Sequence, residues 1–235
     1  MFKTNHGVIV ACDVKTIEQL RKLIESTSYV KGVVGYKIGF ILGLGYGLKS
    51  VVDAIREITD LPVIYDHQKA GTDIPQMGAE FADAMKRACV DSAIIFPQAG
   101  PKTQEAFVKA LLQQGVVPMV GGDMTHEGYL NRDGGYVVDN SPERMYENGA
   151  RNGAEFFVAP GNKPDALQRY SSMLSKITNP KFCLIGIGRQ GGTISNAFAA
   201  CKGHPAYVVV GSAIYGAPDV TAATKGFCGE AMRFE

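Results

Sequence analysis

The chain has 235 residues, of which 46% are hydrophobic and 20% charged, which excludes a disordered chain and provides ample material for a buried core. Its 24 basic and 23 acidic side chains leave a formal charge of +1, so no broad attraction to nucleic acid or to an anionic membrane is expected. No apolar run reaches the roughly 18 residues of a membrane span. Five cysteines without a CxxC pair, and an N-terminus with no room for a signal peptide, predict a cytoplasmic protein.

Short apolar runs alternate with amphipathic stretches from end to end. Strands are predicted at 8–13, 33–38, 61–66, 92–96, 116–120, 156–159, 182–186 and 207–210. Helices are predicted after them at 17–24, 48–58, 77–89, 102–114, 141–152, 163–177, 192–202 and 217–232. Strands that are apolar throughout are typical of a parallel sheet covered by helices. Eight such units favour a closed (β/α)8 TIM barrel, with an open doubly wound sheet as the alternative.

No linker or shift in composition divides the chain, so we expect residues 1–235 to form a single domain. Barrel enzymes carry their chemistry on the loops that follow the strands. The polar residues at the predicted strand ends are Asp13, Lys37, Asp66, Gln98, Asp123, Thr125, His126, Arg189 and Gln190.

A charged cluster follows the third predicted strand. Asp66, Lys69 and Asp73 lie within eight residues, and Lys37 ends the neighbouring strand. Two lysines alternating with two aspartates would hold each ammonium charged and fixed in position. Such an array can oppose a negative substrate group and protonate a developing carbanion. The alternative interpretation is a surface network of salt bridges.

Motifs along nearly the whole chain resemble one family. Residues 66–75 are similar to the Asp-x-Lys-x-x-Asp-Ile-Pro signature of the orotidine 5′-phosphate decarboxylase family. Its superfamily also contains 3-hexulose-6-phosphate synthase and 3-keto-gulonate-6-phosphate decarboxylase. Further matches follow in the family's order: Asp13 at the end of the first strand, Tyr36-Lys37-Ile38-Gly39, Met124-Thr125-His126-Glu127-Gly128, Gly186-Ile187-Gly188-Arg189-Gln190-Gly191-Gly192 and Val210-Gly211-Ser212-Ala213-Ile214-Tyr215.

The resemblance implies decarboxylation of orotidine 5′-phosphate to uridine 5′-phosphate and CO₂ in pyrimidine biosynthesis, with no metal or other cofactor. Asp66 would then lie against the substrate carboxylate, and Lys69 would stabilise and protonate the carbanion. Lys37 and Asp73 would hold that pair, with Lys37 also reaching the ribose and Asp73 shared across a homodimer. The implied binding contacts are Asp13 to the sugar, Thr125 to the pyrimidine, and Gln190 with the backbone N–H groups of Gly191, Gly211 and Ser212 to the phosphate.

The chain departs from the family pattern at several positions. The spacings from Asp66 to Lys69 and from Lys69 to Asp73 are each one residue longer than in the family. Met77 replaces a ribose-contacting threonine. Ser212 replaces the phosphate-binding arginine, and a hydroxyl cannot supply a bidentate, charge-assisted contact. Arg189 is the arginine that we expect to take over this role.

Two alternatives remain at this point. The sugar-phosphate enzymes of the superfamily use Mg²⁺ with an acidic ligand at the end of the second strand, where this chain has Lys37, and an ammonium would repel the cation. A non-catalytic barrel that binds nucleotides or proteins is the other alternative. The sequence favours the decarboxylase, acting on a small nucleotide, with no nucleic-acid or membrane partner.

Overall fold

The computed structural model describes residues 1–66 and 73–235, and its strands form a closed, parallel, eight-stranded barrel in sequential order. β1 pairs with both β2 and β8, which closes the sheet. The (β/α)8 TIM barrel predicted from the sequence is therefore confirmed. The strands are β1 His6–Ala11, β2 Val33–Gly39, β3 Val63–Asp66, β4 Ser92–Ile95, β5 Val117–Gly121, β6 Phe156–Pro160, β7 Lys181–Ile185 and β8 Ala206–Val210.

Helices cover the outside of the barrel, and all eight predicted ones are present with ends shifted by a few residues. Two short helices were not predicted: one directly after β2 and one directly after β8. Over the described ranges the α-helices are α1 Ile17–Thr27, α2 Phe40–Tyr46, α3 Leu48–Arg56, α4 Met77–Arg87, α5 Pro101–Gln113, α6 Ser141–Arg151, α7 Pro164–Leu174, α8 Ile194–Ala200, α9 Ser212–Tyr215 and α10 Val220–Ala231. Short 3₁₀ turns lie at Asn131–Asp133 and Met232–Phe234.

The apolar side chains of the strands form two layers. In β1, Val8 and Val10 pack outward against the helices, whereas Ile9 and Ala11 pack inside the barrel. Successive side chains of a strand point to opposite faces, so a strand buried on both faces must be apolar throughout. Each fully buried aliphatic side chain stabilises the fold by ~1.5–3 kcal/mol.

Phe96, just beyond β4, fills part of the barrel interior beside β5. A Cβ atom at Gly121 would overlap the Phe96 ring, which is fully buried. Glycine at 121 therefore makes room for the aromatic ring.

In the described part of the chain, no helix has the length and hydropathy needed to cross a membrane.

Candidate active site

A cavity of about 350 Å³ opens at the carboxyl ends of the strands, on the face where barrel enzymes carry their chemistry. Its polar lining comes from the ends of β1, β2 and β3 and from the loops after β5, β7 and β8. Eight of the predicted site residues line it: Asp13, Lys37, Asp66, Thr125, Arg189, Gln190, Gly211 and Ser212.

Strand register brings the charged residues of this cavity together. Lys37 is paired with Ala11 of β1, and Gly39 is paired with Asp66 of β3. Residues two apart on a strand share a face, so Asp13, two residues beyond Ala11, and Asp66 point to the same side as Lys37. Gly39 leaves space there, because a Cβ atom at this position would lie 3.0 Å from Asp13 Oδ1.

The Lys37 ammonium lies between two carboxylates. Its Nζ is 2.9 Å from Asp66 Oδ2 and 3.5 Å from Asp13 Oδ1. The side chains of Lys37 and Asp66 are only 10% and 7% exposed, whereas that of Asp13 is 38% exposed. The expected proximity of Lys37 and Asp66 is therefore observed, and Asp13 joins them.

The electrostatic balance keeps this ammonium charged. Burial alone lowers the pKa of Lys37, but the negative charges of Asp66 and Asp13, with hydrogen bonds to both, outweigh it and raise the pKa above its ordinary value. The result is a fixed positive charge at a cavity wall that also carries carboxylates.

A glycine-rich loop after β7 forms the opposite wall. Its turn is closed by hydrogen bonds from Gly188 N to Gly192 O and from Gly191 N to Gly188 O. Gly191 has a φ of +87°, a conformation that side chains rarely adopt. Gly191 is not among the residues that line the cavity, and its N–H is already bonded within the turn. A phosphate contact from this amide remains a prediction.

Arg189 projects from the glycine-rich loop towards the segment after β8. Its Nη2 lies 3.6 Å from the position that a Cβ atom would take at Gly216, just beyond α9. Ser212, which opens α9, lines the same cavity. Among the described residues, no carboxylate forms a salt bridge with Arg189, so its guanidinium is available to an anion.

The other two predicted catalytic residues are Lys69 and Asp73. Lys69 lies outside the described residues. Asp73 is exposed and is not among the residues that line the cavity. Its carboxylate accepts a hydrogen bond from the N–H of Ile74, and its carbonyl accepts one from Thr103 Oγ1 of α5. Asp73 is therefore held against α5 and does not line its own chain's cavity.

Some lining residues were missed by sequence reasoning. Ile185 and Ile187 supply apolar contacts, and Tyr215 closes the side next to Gly211. Tyr215 belongs to a motif that resembles the family, so that motif was the signal that could have found it. In the described ranges, no cluster of three or more His, Cys, Asp or Glu side chains is arranged to hold a metal ion. Independence of a cofactor remains a prediction.

The fold and the cavity define an α/β-barrel enzyme with a buried ammonium–carboxylate cluster at its mouth. The sequence model of the orotidine 5′-phosphate decarboxylase / HUMPS family matches residues 7–227. The chain belongs to this family.

Relatives of known name support the same assignment. The chain is 27% identical over 220 residues to orotidine 5′-phosphate decarboxylase of Pyrococcus abyssi, covering 93% of this chain and 95% of that protein. It is 28% identical over 225 residues to the enzyme of the same name from Pyrococcus horikoshii, covering 95% and 98%.

Solved structures agree in fold. The crystal structure of the Pyrococcus horikoshii decarboxylase superposes with a TM-score of 0.79 at 26% identity, over 96% of this chain and 99% of that one. The Methanocaldococcus jannaschii decarboxylase, complexed with the inhibitor BMP, gives a TM-score of 0.83 at 21% identity, over 96% and 98%. The latter likeness establishes the fold alone.

Proposed function

We propose that this protein decarboxylates orotidine 5′-phosphate to uridine 5′-phosphate and CO₂ in pyrimidine biosynthesis. The observation that carries the proposal is the buried Lys37 ammonium, 2.9 Å from Asp66, at the wall of a cavity in a barrel of this family. An acidic metal ligand, as the Mg²⁺-dependent sugar-phosphate enzymes require, is absent from position 37.

The proposed chemistry uses charge alone. The carboxylate of Asp66 lies against the C6 carboxylate of the substrate's pyrimidine ring and repels it. This repulsion raises the free energy of the bound substrate relative to that of the carbanion. The bond from C6 to the carboxyl carbon breaks, CO₂ leaves, and the electron pair remains on C6. The Lys69 ammonium stabilises this carbanion and donates a proton to C6. Lys37 and Asp73 hold the charged pair, and Lys37 also reaches the ribose.

The proposed contacts to the rest of the nucleotide use the cavity walls. Thr125 binds the pyrimidine and Asp13 the sugar. Arg189 supplies the positive charge that Ser212 cannot, because a dianion is gripped tightly by a charge-assisted contact. The remaining phosphate contacts come from Gln190 and from backbone N–H groups at Gly191, Gly211 and Ser212.

We also propose a homodimer in which Asp73 serves the partner's cavity. Asp73 is exposed and does not line its own chain's cavity. Large apolar side chains are exposed on the segments that follow the neighbouring strands β2 and β3: Leu44 is 70%, Phe40 59% and Ile74 58% exposed. Large apolar side chains that are exposed on neighbouring segments are typical of a surface that another protein covers. A second copy of the chain would cover it and bring Asp73 to the site.

Subunit mixing tests the shared site. Lys69→Ala and Asp73→Ala proteins should each be inactive, and a mixture of them should recover activity, since each heterodimer holds one intact site. No recovery in a mixture shown to exchange subunits would contradict the sharing. Leu44→Lys should produce monomers by light scattering if this apolar surface is the interface.

Further proposals accompany this function. Residues 1–235 form one domain, because β1 pairs with β8 and ties the first strand to the last. The protein is cytoplasmic, which cell fractionation would test. It acts without a cofactor and binds neither nucleic acid nor membranes.

The catalytic assignment is tested by comparing two lysine variants. Lys69→Ala should lower kcat for orotidine 5′-phosphate by several orders of magnitude while the fold remains intact. Lys86→Ala, which removes an exposed lysine from the last turn of α4, should leave kcat unchanged. Retention of a substantial fraction of kcat in Lys69→Ala would show that another group donates the proton.

A further inference from the structure

The turn between β6 and α7, residues 161–163, contacts two loops that line the cavity, the loop after β5 and the loop after β7. Asn162 Nδ2 donates one hydrogen bond to the carbonyl of Thr125 at 3.1 Å and a second to the carbonyl of Gln190 at 3.4 Å. Thr125 and Gln190 line the cavity from the β5 and β7 loops, whereas Asn162 is not a lining residue. One side chain therefore joins two walls that are 65 residues apart in sequence.

The orientation of this amide is fixed by its partners. Both partners are carbonyl oxygens, which accept and cannot donate, so the NH₂ group must face them. In the described part of the chain, Asn162 Oδ1 is buried without a hydrogen-bond partner. Buried polar atoms are rarely left unpaired, so this arrangement indicates that the two donated bonds determine where the side chain sits.

Glycines allow the three segments to approach this closely. A Cβ atom at Gly186 would lie 2.8 Å from Thr125 Cγ2 and 3.0 Å from Asn162 Oδ1, and Gly186 has a φ of +84°. Any side chain at this position would push the β5 loop away from the β6–α7 turn.

The turn itself is anchored to the barrel. Lys163 Nζ lies 3.0 Å from Asp123 Oδ1, and the Asp123 carboxylate is fully buried and also accepts a hydrogen bond from Tyr170 OH at 2.9 Å. On the other side, Gly161 N donates to Ile185 O at 2.7 Å. Asp123 on the loop after β5 and Ile185 on β7 thus hold the turn from two sides, so Asn162 has a fixed position relative to both walls.

We infer that Asn162 is a positioning residue that sets the separation between the pyrimidine side of the cavity, at Thr125, and the phosphate side, at Gln190. The inference rests on the proposed function for the identity of the ligand, but the bridge between the loops is independent of it. Because Asn162 acts on the binding walls and not on the Lys37–Asp66 cluster, its loss should affect substrate binding more than the chemical step.

Hydrogen exchange tests the bridge without any ligand. In Asn162→Ala, the hydrogen-bonded amides of Gly188, Gly191 and Gly192 should exchange several times faster than in the wild-type protein. Asn162→Asp, which keeps the shape but places an acceptor against both carbonyls, should do the same. The matched control is Asn152→Ala, since Asn152 Nδ2 also donates to a main-chain carbonyl, that of Asn148, but on α6. It should leave these amides unchanged.

Steady-state kinetics test the functional part. Loss of one or two neutral hydrogen bonds should raise KM for orotidine 5′-phosphate about tenfold and weaken uridine 5′-phosphate binding to the same degree. The value of kcat should change much less, and Asn152→Ala should match the wild type.

The outcomes separate the two claims. Unchanged amide exchange in both Asn162 variants would overturn the inference, and so would a loss confined to kcat. Faster exchange in these variants, with a wild-type protein that does not turn over orotidine 5′-phosphate, would refute the proposed function and leave the bridge between the loops standing.

Discussion

Replacing Lys37 with methionine would remove the ammonium from the cavity wall while keeping a side chain of similar length. Asp66, whose side chain is 7% exposed, would lose the cation 2.9 Å away. Removing one partner of a buried ion pair costs ~3–5 kcal/mol. The contact with Asp13 adds little, since that carboxylate is 38% exposed and exposed pairs contribute only ~0–1 kcal/mol. Partial burial of the methionine offsets some of the loss, so we expect a net destabilisation of about 3 kcal/mol.

Urea denaturation followed by circular dichroism measures this change. With a slope of ~3 kcal/mol/M, the midpoint for Lys37→Met should fall by about 1 M. In Lys37→Met/Asp66→Asn, where neither charge remains, most of the stability should return, because neutral replacement of a buried pair is often tolerated. Lys49→Met is the control, since its pair with Asp53 is exposed and the midpoint should not move.

A midpoint for Lys37→Met that equals the wild-type value would refute the reasoning. A double variant less stable than Lys37→Met would do so as well, since it would show that the Asp66 carboxylate does not become unfavourable when Lys37 is removed.

Three further predictions concern pH, packing and phosphate binding. The pKa of Lys37 is raised in the folded protein, so its ammonium should stabilise the fold fully below the unfolded pKa of about 10.4. This stabilisation should be lost as the pH rises through the folded pKa. The difference in free energy of unfolding between wild type and Lys37→Met should therefore shrink in urea titrations at alkaline pH. Gly121→Ala should destabilise the fold by ~1–3 kcal/mol because of the Phe96 ring, whereas Gly226→Ala, with open space in α10, should stabilise it by ~0.5–1 kcal/mol in the same denaturation assay. Arg189→Ala should weaken uridine 5′-phosphate binding by ~2–3 kcal/mol in calorimetry and leave uridine binding unchanged; equal nucleotide affinity would show that Arg189 is not the phosphate-binding cation.

Most of the barrel was predictable because its strands are apolar on both faces. The helix α2 was missed, since Phe40-Ile41-Leu42-Gly43-Leu44-Gly45-Tyr46 is apolar all round and contains two glycines, so no amphipathic period marks it. The helix α9 has four residues, too few to show a period at all.

The site was predictable where strand order determines it. Lys37 lies near the end of β2 and Asp66 ends the adjacent strand β3, so their proximity followed from the barrel topology. The hydrogen bonds of Asn162 could not be predicted, because they depend on the positions of three loops relative to one another in the folded chain. Neither the exposure of Asp73 nor the internal bonding of Gly191 is encoded in a local pattern.

The measurement that tests the central claim most directly is turnover of orotidine 5′-phosphate by the purified protein after exhaustive chelation. We expect uridine 5′-phosphate and CO₂ to form in equal amounts, at a rate that added Mg²⁺ does not change. A parallel assay with a sugar phosphate should show no reaction. The account would be contradicted if orotidine 5′-phosphate were not consumed, or if the only activity were Mg²⁺-dependent and directed at the sugar phosphate.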